Sequence, residues 1–510
     1  MKIEIDRLIE PFLTIILLLT FLFPRVYAQH TEDLNRSRLI ILADMGNEPD
    51  EEQQMMHMLM YSNEFDLEGL VAVTGKFLRP ENPNPYKQVL HPELFHDLID
   101  GYAKVLENLK QHATGWPAPE YLHGIVVSGQ TGYGIEATGS NLSSEGSDLI
   151  INAVQKGDDR PIYVVVNAGS NTLAQAIKDF ATTHSPEEVK AFISKLRVFE
   201  NGAQDNAGAW ICHEYPYIHW IRSNYQAYCY AGPSIDGGLD NKGKKAELGP
   251  YTWEPYAYSG VGQHQWALEH IIGNHGPFGN YYPIRQFHRG GISFLEGGGT
   301  IPWLALVNKG LSDINHPEWG GWSGRYSSDK EKNVWSKHNS VNMDEKAFTP
   351  FYVFTEESDQ WVNPETGDVY NNLFTPVWRW RRAFFNDFRC RMDWCLEGTE
   401  TANHRPIAVI NGNSLDEIIH IHANPGQNLT FNASKSRDPD EDELSFTWWH
   451  YVEAGTYPNK IEIKESHKQN LSLTLPKDAH NAEIHLILEV KDKNPVASLY
   501  DYRRIVITIP

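Results

Sequence analysis

Apolar residues fill positions 39–43, a polar turn follows, positions 49–61 carry helical spacing, and a second apolar run covers 67–73. A short apolar run bounded by turn-forming residues reads as a buried strand, so this stretch predicts a strand, helix, strand unit. The unit recurs: 161–166 predicts a strand, 167–170 a turn, 171–178 a helix and 196–199 another strand. Such alternation predicts an α/β domain on a mainly parallel sheet with helices on both faces. Sheets of this kind bind ligands in the crevice beyond the carboxyl ends of their strands, where the most polar loops of this chain should lie.

Between the units the pattern loosens. Residues 74–140 and 205–345 are rich in Gly, Pro, Asn, Trp and Tyr and predict long shaped loops that wall a pocket. The segment 376–395 predicts a helix mixing aromatic and basic residues, among them Trp378, Arg379, Trp380, Arg381 and Arg382. Past residue 403 the pattern becomes short alternating segments at 428–431, 444–449, 484–490 and 504–509, as in a small β-sandwich. The expected organisation is an α/β domain over 29–375, a helical connector over 376–403 and the sandwich over 404–510. A length of 510 residues agrees, since one core seldom organises so many. Asp438, Pro439, Asp440, Glu441 and Asp442 lack the glycine and flanking helices of an EF-hand and read as an acidic turn.

Lys2 and Arg7, then an apolar run at 12–23, then Val26, Tyr27 and Ala28 before Gln29 have the layout of a secretory signal cleaved after Ala28. The run is shorter than the roughly 20 apolar residues of a bilayer span. A secreted or periplasmic protein with no membrane span after cleavage is therefore expected. The four cysteines, Cys212, Cys229, Cys390 and Cys395, suit an oxidising compartment and allow pairing within each sequence-local couple. Their spacing does not suit zinc. With 66 acidic against 44 basic residues the formal charge is -22, which argues against nucleic acid and favours a neutral or cationic ligand.

Candidate chemistry gathers just after the first strand, where Asp44, Met45, Gly46, Asn47, Glu48, Pro49, Asp50 and Glu51 place four carboxylates between strand and helix. Pro49 suits the first helical turn. Asp50, Glu51 and Glu52 would lie beside free N–H groups at the positive end of the helix dipole. Acids this dense also supply the oxygen ligands a hard cation prefers. Helix capping and metal binding both fit the spacing.

This loop resembles the metal-binding loop of nucleoside hydrolases, which reads Asp, any residue, Asp, Pro, Gly, any residue, Asp, Asp. Asp44 matches its first acid, Asp50 the third and Glu51 the fourth, while Gly46 replaces the second. The resemblance implies bound calcium at Asp44, Asp50 and Glu51 and a water-activating base among Asp44, Asp50 and Glu48. A second match, Asn167 to Ala174, resembles the turn in which that family offers calcium a backbone carbonyl, here at Asn171. Asp205 and Asn206, beside Gln204, stand where the family places a sugar-binding Asn, and Glu296 is the candidate late acidic ligand. Asn47 and Asn167 join them as candidate substrate contacts. Over nearly the whole mature length the chain resembles bacterial cellulose-binding proteins that join a nucleoside-hydrolase-like domain to an immunoglobulin-like module. The segments that carry this likeness are the Gly46-Asn47-Glu48-Pro49-Asp50 loop, 144–150 and 316–326.

Fifteen tryptophans exceed what a core needs, and Trp303, Trp319 and Trp322 lie in Gly-rich stretches where they could stack on sugar rings or close loops over the core. No Gly-x-Ser-x-Gly elbow and no phosphate loop is present. The expected function is hydrolysis of an N- or O-glycosyl bond with a carboxylate-bound cation. The alternative is a non-catalytic binder of cellulose or another polysaccharide.

Overall fold

The computed structural model describes residues 36–230, 249–251, 260–283, 285–287, 291–293, 299–332, 345–396 and 398–510. The signal segment and Glu296 lie outside the described residues. The first domain is built on strands β1 (Ser37–Ala43), β2 (Phe65–Ala72), β3 (Val126–Ser128), β4 (Ile162–Val166), β5 (Leu196–Asn201) and β6 (His219–Ser223). They form one parallel sheet in the order β3-β2-β1-β4-β5-β6. The order turns back between β1 and β4, which opens a crevice at their carboxyl ends.

Helix α1 (Pro49–Leu59) follows β1, α2 (Glu145–Gln155) precedes β4, α3 (Asn171–Thr183) follows β4 and α4 (Ala207–Glu214) follows β5. Side chains of a strand alternate between faces. Leu39, Ile41 and Ala43 of β1 therefore pack with Met55, Met56 and Leu59 of α1. Ile40 and Leu42 pack on the other face with Ile150 of α2, Leu173 and Ile177 of α3 and Ile211 of α4. The parallel sheet with helices on both faces is thus as the sequence pattern predicts.

The stretch 74–140 departs from its expected loop character, because it holds helices Glu93–Ala103, Leu106–His112 and Pro119–Gly124. In the first of these Phe95, Leu98, Ile99 and Tyr102 recur at helical spacing and are buried. The connector helix is interrupted: a turn at Thr375–Trp378 precedes α5 (Arg381–Asp393), whose Phe384, Phe388 and Met392 are buried. The sandwich is as expected and adds two strands. Strands β7 (Ile419–His422), β9 (Leu444–His450), β11 (Ala482–Asp492) and β12 (Tyr500–Ile509) form one sheet in the order β7-β12-β11-β9; β8 (Asn428–Asn432) pairs with β10 (Asn470–Thr474) in the other. All four cysteines are buried free thiols, so neither local couple is bridged. No helix among the described residues is long and apolar enough to cross a membrane.

Candidate functional site at the strand ends

The loop after β1 turns tightly, with Asn47 N donating to Asp44 O at 3.0 Å. Gly46 sits at φ +86, left-handed backbone that glycine adopts without strain. Above it, His91 stacks on Tyr86 with ring centroids 4.0 Å apart. The chain then enters α1 with Glu48 at the N-cap, Pro49 in the first turn, and Asp50, Glu51 and Glu52 beside the helix start. Glu48 makes no side-chain cap.

Four strand-end loops meet at Asp44. A methyl group on Gly75, just past β2, would lie 2.9 Å from Asp44 Oδ2, 2.6 Å from Gln204 Oε1 and 3.1 Å from Ala168 Cβ. Asp44 is 1% exposed, and its Oδ2 has no hydrogen-bond partner. Asn167 Oδ1, Asn171 Oδ1 and Gln204 Oε1, all buried at the same end of the sheet, lack partners as well. The other atoms of these residues are engaged. Asn167 Nδ2 donates to Glu51 Oε2 at 3.4 Å, Gln54 Nε2 donates to the same oxygen at 3.3 Å, and Gln204 Nε2 donates to Asn167 O at 3.0 Å. Asn171 Nδ2 donates to Gly132 O at 2.8 Å.

Burial followed by the neighbouring charges of Asp50 and Glu48 holds the Asp44 carboxyl well above the usual range. Burial, then Asp50 and Asp44, do the same to Glu51. Burial, then Glu48 and Glu52, raise Asp50 to about 7. Lys87, whose Nζ donates to Asn47 Oδ1 at 2.9 Å, opposes the rise at Asp44.

The structure thus brings Asp44, Glu48, Asp50, Glu51, Asn167 and Asn171 to one end of the sheet, with Asn47 at its rim. Asp205 and Asn206 follow Gln204 at the same end of the sheet and bond to the neighbouring loops, and the tryptophans pack elsewhere. Asp205, raised to about 6 by burial, accepts from Ser170 Oγ at 2.9 Å, Asn171 N at 3.1 Å and Ala207 N at 3.0 Å, and so ties together the starts of α3 and α4. Asn206 Oδ1 accepts from Ile135 N at 2.8 Å and holds the loop before α2. Trp319 and Trp322 are not sugar platforms, because protein covers their faces. Trp319 stacks on His316 at 3.9 Å and abuts His485 at 5.1 Å. Trp322 is 1% exposed beside Phe384. Trp303 is likewise buried and donates to Gln54 Oε1 at 3.2 Å. The sequence reading missed Gly75, Lys87 and the His91–Tyr86 cover; a glycine just past a strand end was the one local signal.

Among the described residues no three His, Cys, Asp or Glu side chains are grouped as a metal site. The chemistry of the donors nevertheless fits a hard cation: the carboxylates of Asp44, Asp50 and Glu51 stand with amide oxygens, and Asp44 Oδ2 and Asn167 Oδ1 are buried without partners.

Residues 38–326 match the family model described as cellulose-binding Sde182, nucleoside hydrolase-like domain. Residues 428–509 match that of cellulose-binding protein Sde0182, C-terminal domain. Among solved structures the chain is similar to a nucleoside hydrolase-related hypothetical protein from Saccharophagus degradans that is associated with carbohydrate metabolism. The two share 32% identity over 93% of this chain and 100% of that one, with a TM-score of 0.75. A PKD domain from human KIAA0319 is 16% identical over 22% of this chain and 89% of its own, with a TM-score of 0.15. No curated protein matches.

Proposed function

Since the chain belongs to the family of cellulose-binding proteins with a nucleoside hydrolase-like domain, we propose that it is an exported glycoside-processing hydrolase acting at the β1–β4 crevice. One observation carries this reading: buried oxygens of Asp44, Asn167, Asn171 and Gln204 are left without donors at one end of the sheet. An unsatisfied buried acceptor costs about 1–3 kcal/mol, so a cluster of them favours a ligand that brings donors or positive charge. Sugar hydroxyls bring the first and a divalent cation the second.

Asp44, Asp50 and Glu51, with the Asn171 position, would hold calcium. When bound, the ion would supply positive charge that lowers the proton affinity of a nearby water. Asp50, at the start of α1 beside Asp44 and Glu48, would accept the proton. Water adding to the anomeric carbon would give its proton to this carboxylate as the glycosyl bond breaks, and the departing group would leave with the bonding electrons and take a proton from solvent. The other carboxylates would face the positive charge of the oxocarbenium-like transition state. Amides of Asn47 and Asn167 would orient the sugar, and export, read from the layout of residues 1–28, would bring the protein to glycans outside the cytoplasm.

Gly46 favours a second reading, in which the crevice retains a glycan without cutting it, because the acid that serves as base in nucleoside hydrolases is missing there. Purified protein assayed on a panel of nucleosides and oligosaccharides separates the two. Asp50→Ala should lower cleavage of the best substrate by about 10²–10⁴-fold. Cleavage unchanged in that variant removes the mechanism, and retention on insoluble glucan without released sugar selects the binding role.

A further inference from the structure

A cavity of about 1310 Å³ lies between the two domains and shares no residue with the strand-end crevice. Its floor is the outer face of the sandwich sheet. Along β9 the residues Phe446, Trp448 and His450 are buried, while Thr447 and Trp449 alternate with them and are half-buried on the opposite side. Thr447 pairs with Glu489 of β11, which in turn pairs with Tyr502 of β12; Lys491 lies between Ser445 and Tyr500. This sets hydroxyl, carboxyl and ammonium groups in rows across three strands.

One wall is the antiparallel ribbon Asp359–Val362 and Val369–Asn372, where Trp361 is half-buried and stacks on Tyr370 at 5.8 Å. The other wall is the segment after β9. There Ile461 and Ile463 pack on the sandwich core, and the alternate residues Lys460, Glu462 and Lys464 are exposed. The Arg379 guanidinium lies 4.3 Å from the Trp449 ring centroid and holds that indole in place.

In a chain of formal charge -22 the cationic side chains of this cleft outnumber its lining carboxylates, and two carboxylates just outside the lining, Asp359 and Glu443, offset the difference. Arg379 is bonded to Asp359 and Arg382 to Glu365, and Lys493 is paired with Glu443. Lys460, Lys464 and Lys491 share the lining with Glu453, Glu462 and Glu489, the last raised to about 7 by burial. Such a surface exerts little net pull on a charged polymer. A neutral polymer dense in hydroxyls finds donors and acceptors side by side, and indoles on which to pack its C–H faces. The volume also exceeds the roughly 300–1,000 Å³ of sites for single small ligands, which suits several linked units.

We propose that this interdomain cleft binds a segment of a neutral polysaccharide, packed on Trp361 and Trp449 and hydrogen-bonded along the outer face of β9 and β11, as a site separate from the strand-end crevice. The proposal does not depend on hydrolysis. Titration calorimetry on the full chain, with hexaoses of β-1,4-glucan, β-1,4-mannan and β-1,3-glucan, tests it. At least one hexaose should bind with an affinity independent of salt. Trp361→Ala should weaken that binding by about tenfold and Thr447→Val, which keeps the strand's β-branched shape, by about threefold. Binding to none of the three, binding unaltered in both cleft variants, or preference for a polygalacturonate hexamer that fades with salt would each overturn the proposal.

Discussion

Asp44, Asp50 and Glu51 show what a carboxyl does when water is scarce and like charges are near: it keeps its proton to higher pH. Burial outweighs the backbone hydrogen bonds that pull the other way at Asp50. For that residue the folded value of about 7 stands above the ordinary aspartate value of 3.8, so between these pH values the folded chain binds more protons than the unfolded one. Stability must then fall as pH rises through this window, the reverse of an ion-paired Asp. Asn mimics the protonated acid. Asp50→Asn should therefore raise Tm by a few degrees at pH 8 and change it little at pH 5, where the wild-type carboxyl is already neutral. Scanning calorimetry at both pH values checks this; an equal Tm for the two proteins at pH 8 would show that the carboxylate is well solvated.

Between β1 and α1 the chain has to reverse in a few residues under the His91–Tyr86 stack, and Gly46 makes that turn. A Cβ there would meet His91 Cδ2 at 2.8 Å and Tyr86 Oη at 3.0 Å, on backbone at φ +86. Gly46→Ala should cost about 1–3 kcal/mol in denaturant unfolding. Gly46→Asp, which restores the acid of the nucleoside hydrolase pattern, should cost as much and gain no cleavage. A stable, more active Gly46→Asp protein would refute this account of the turn. The sheet and its helices were legible because the apolar pattern is local: β1 alternates between two cores, and Pro49 and the acids after it mark the start of α1. The acid loop was legible for the same reason. The cover of the loop was not, since Tyr86, Lys87 and His91 arrive from some 40 positions away and carry no local mark of that contact. Nor was the helix Glu93–Ala103, whose four buried apolar positions are hidden among Pro- and Asn-rich neighbours.

At the scale of the whole molecule, the sandwich is docked on the first domain, and aromatic residues, Trp319 of the sequence's sugar-platform candidates among them, form much of the joint. Trp380 meets Trp449 at 5.8 Å and Tyr502 at 5.3 Å, and Trp319 abuts His485. Sequence shows where aromatic residues lie along the chain but not which domain face will cover them. Two buried hubs fix the joint. Asp359 accepts from Arg325 Nε at 2.7 Å, Arg379 Nη1 at 3.0 Å and, from the sandwich, Tyr451 Oη at 2.6 Å. Arg504 of β12 donates to Leu311 O at 2.7 Å, Trp319 O at 2.8 Å and Gly320 O at 2.9 Å. Its Nη1 donates to Nδ1 of His485, whose Nε2 faces Glu483 at 2.8 Å. Burial lowers Arg504 to about 10, still charged at neutral pH, so its hydrogen bonds are charge-assisted. Replacing it with Met keeps an unbranched apolar stem but leaves three buried carbonyls without a donor, each worth about 1–3 kcal/mol when unsatisfied. The docked pair should unfold as one unit in the wild type, and Arg504→Met should split the calorimetric transition, with an earlier one belonging to the freed sandwich. A single transition at an unchanged Tm in that variant would mean that the aromatic contacts alone hold the domains together.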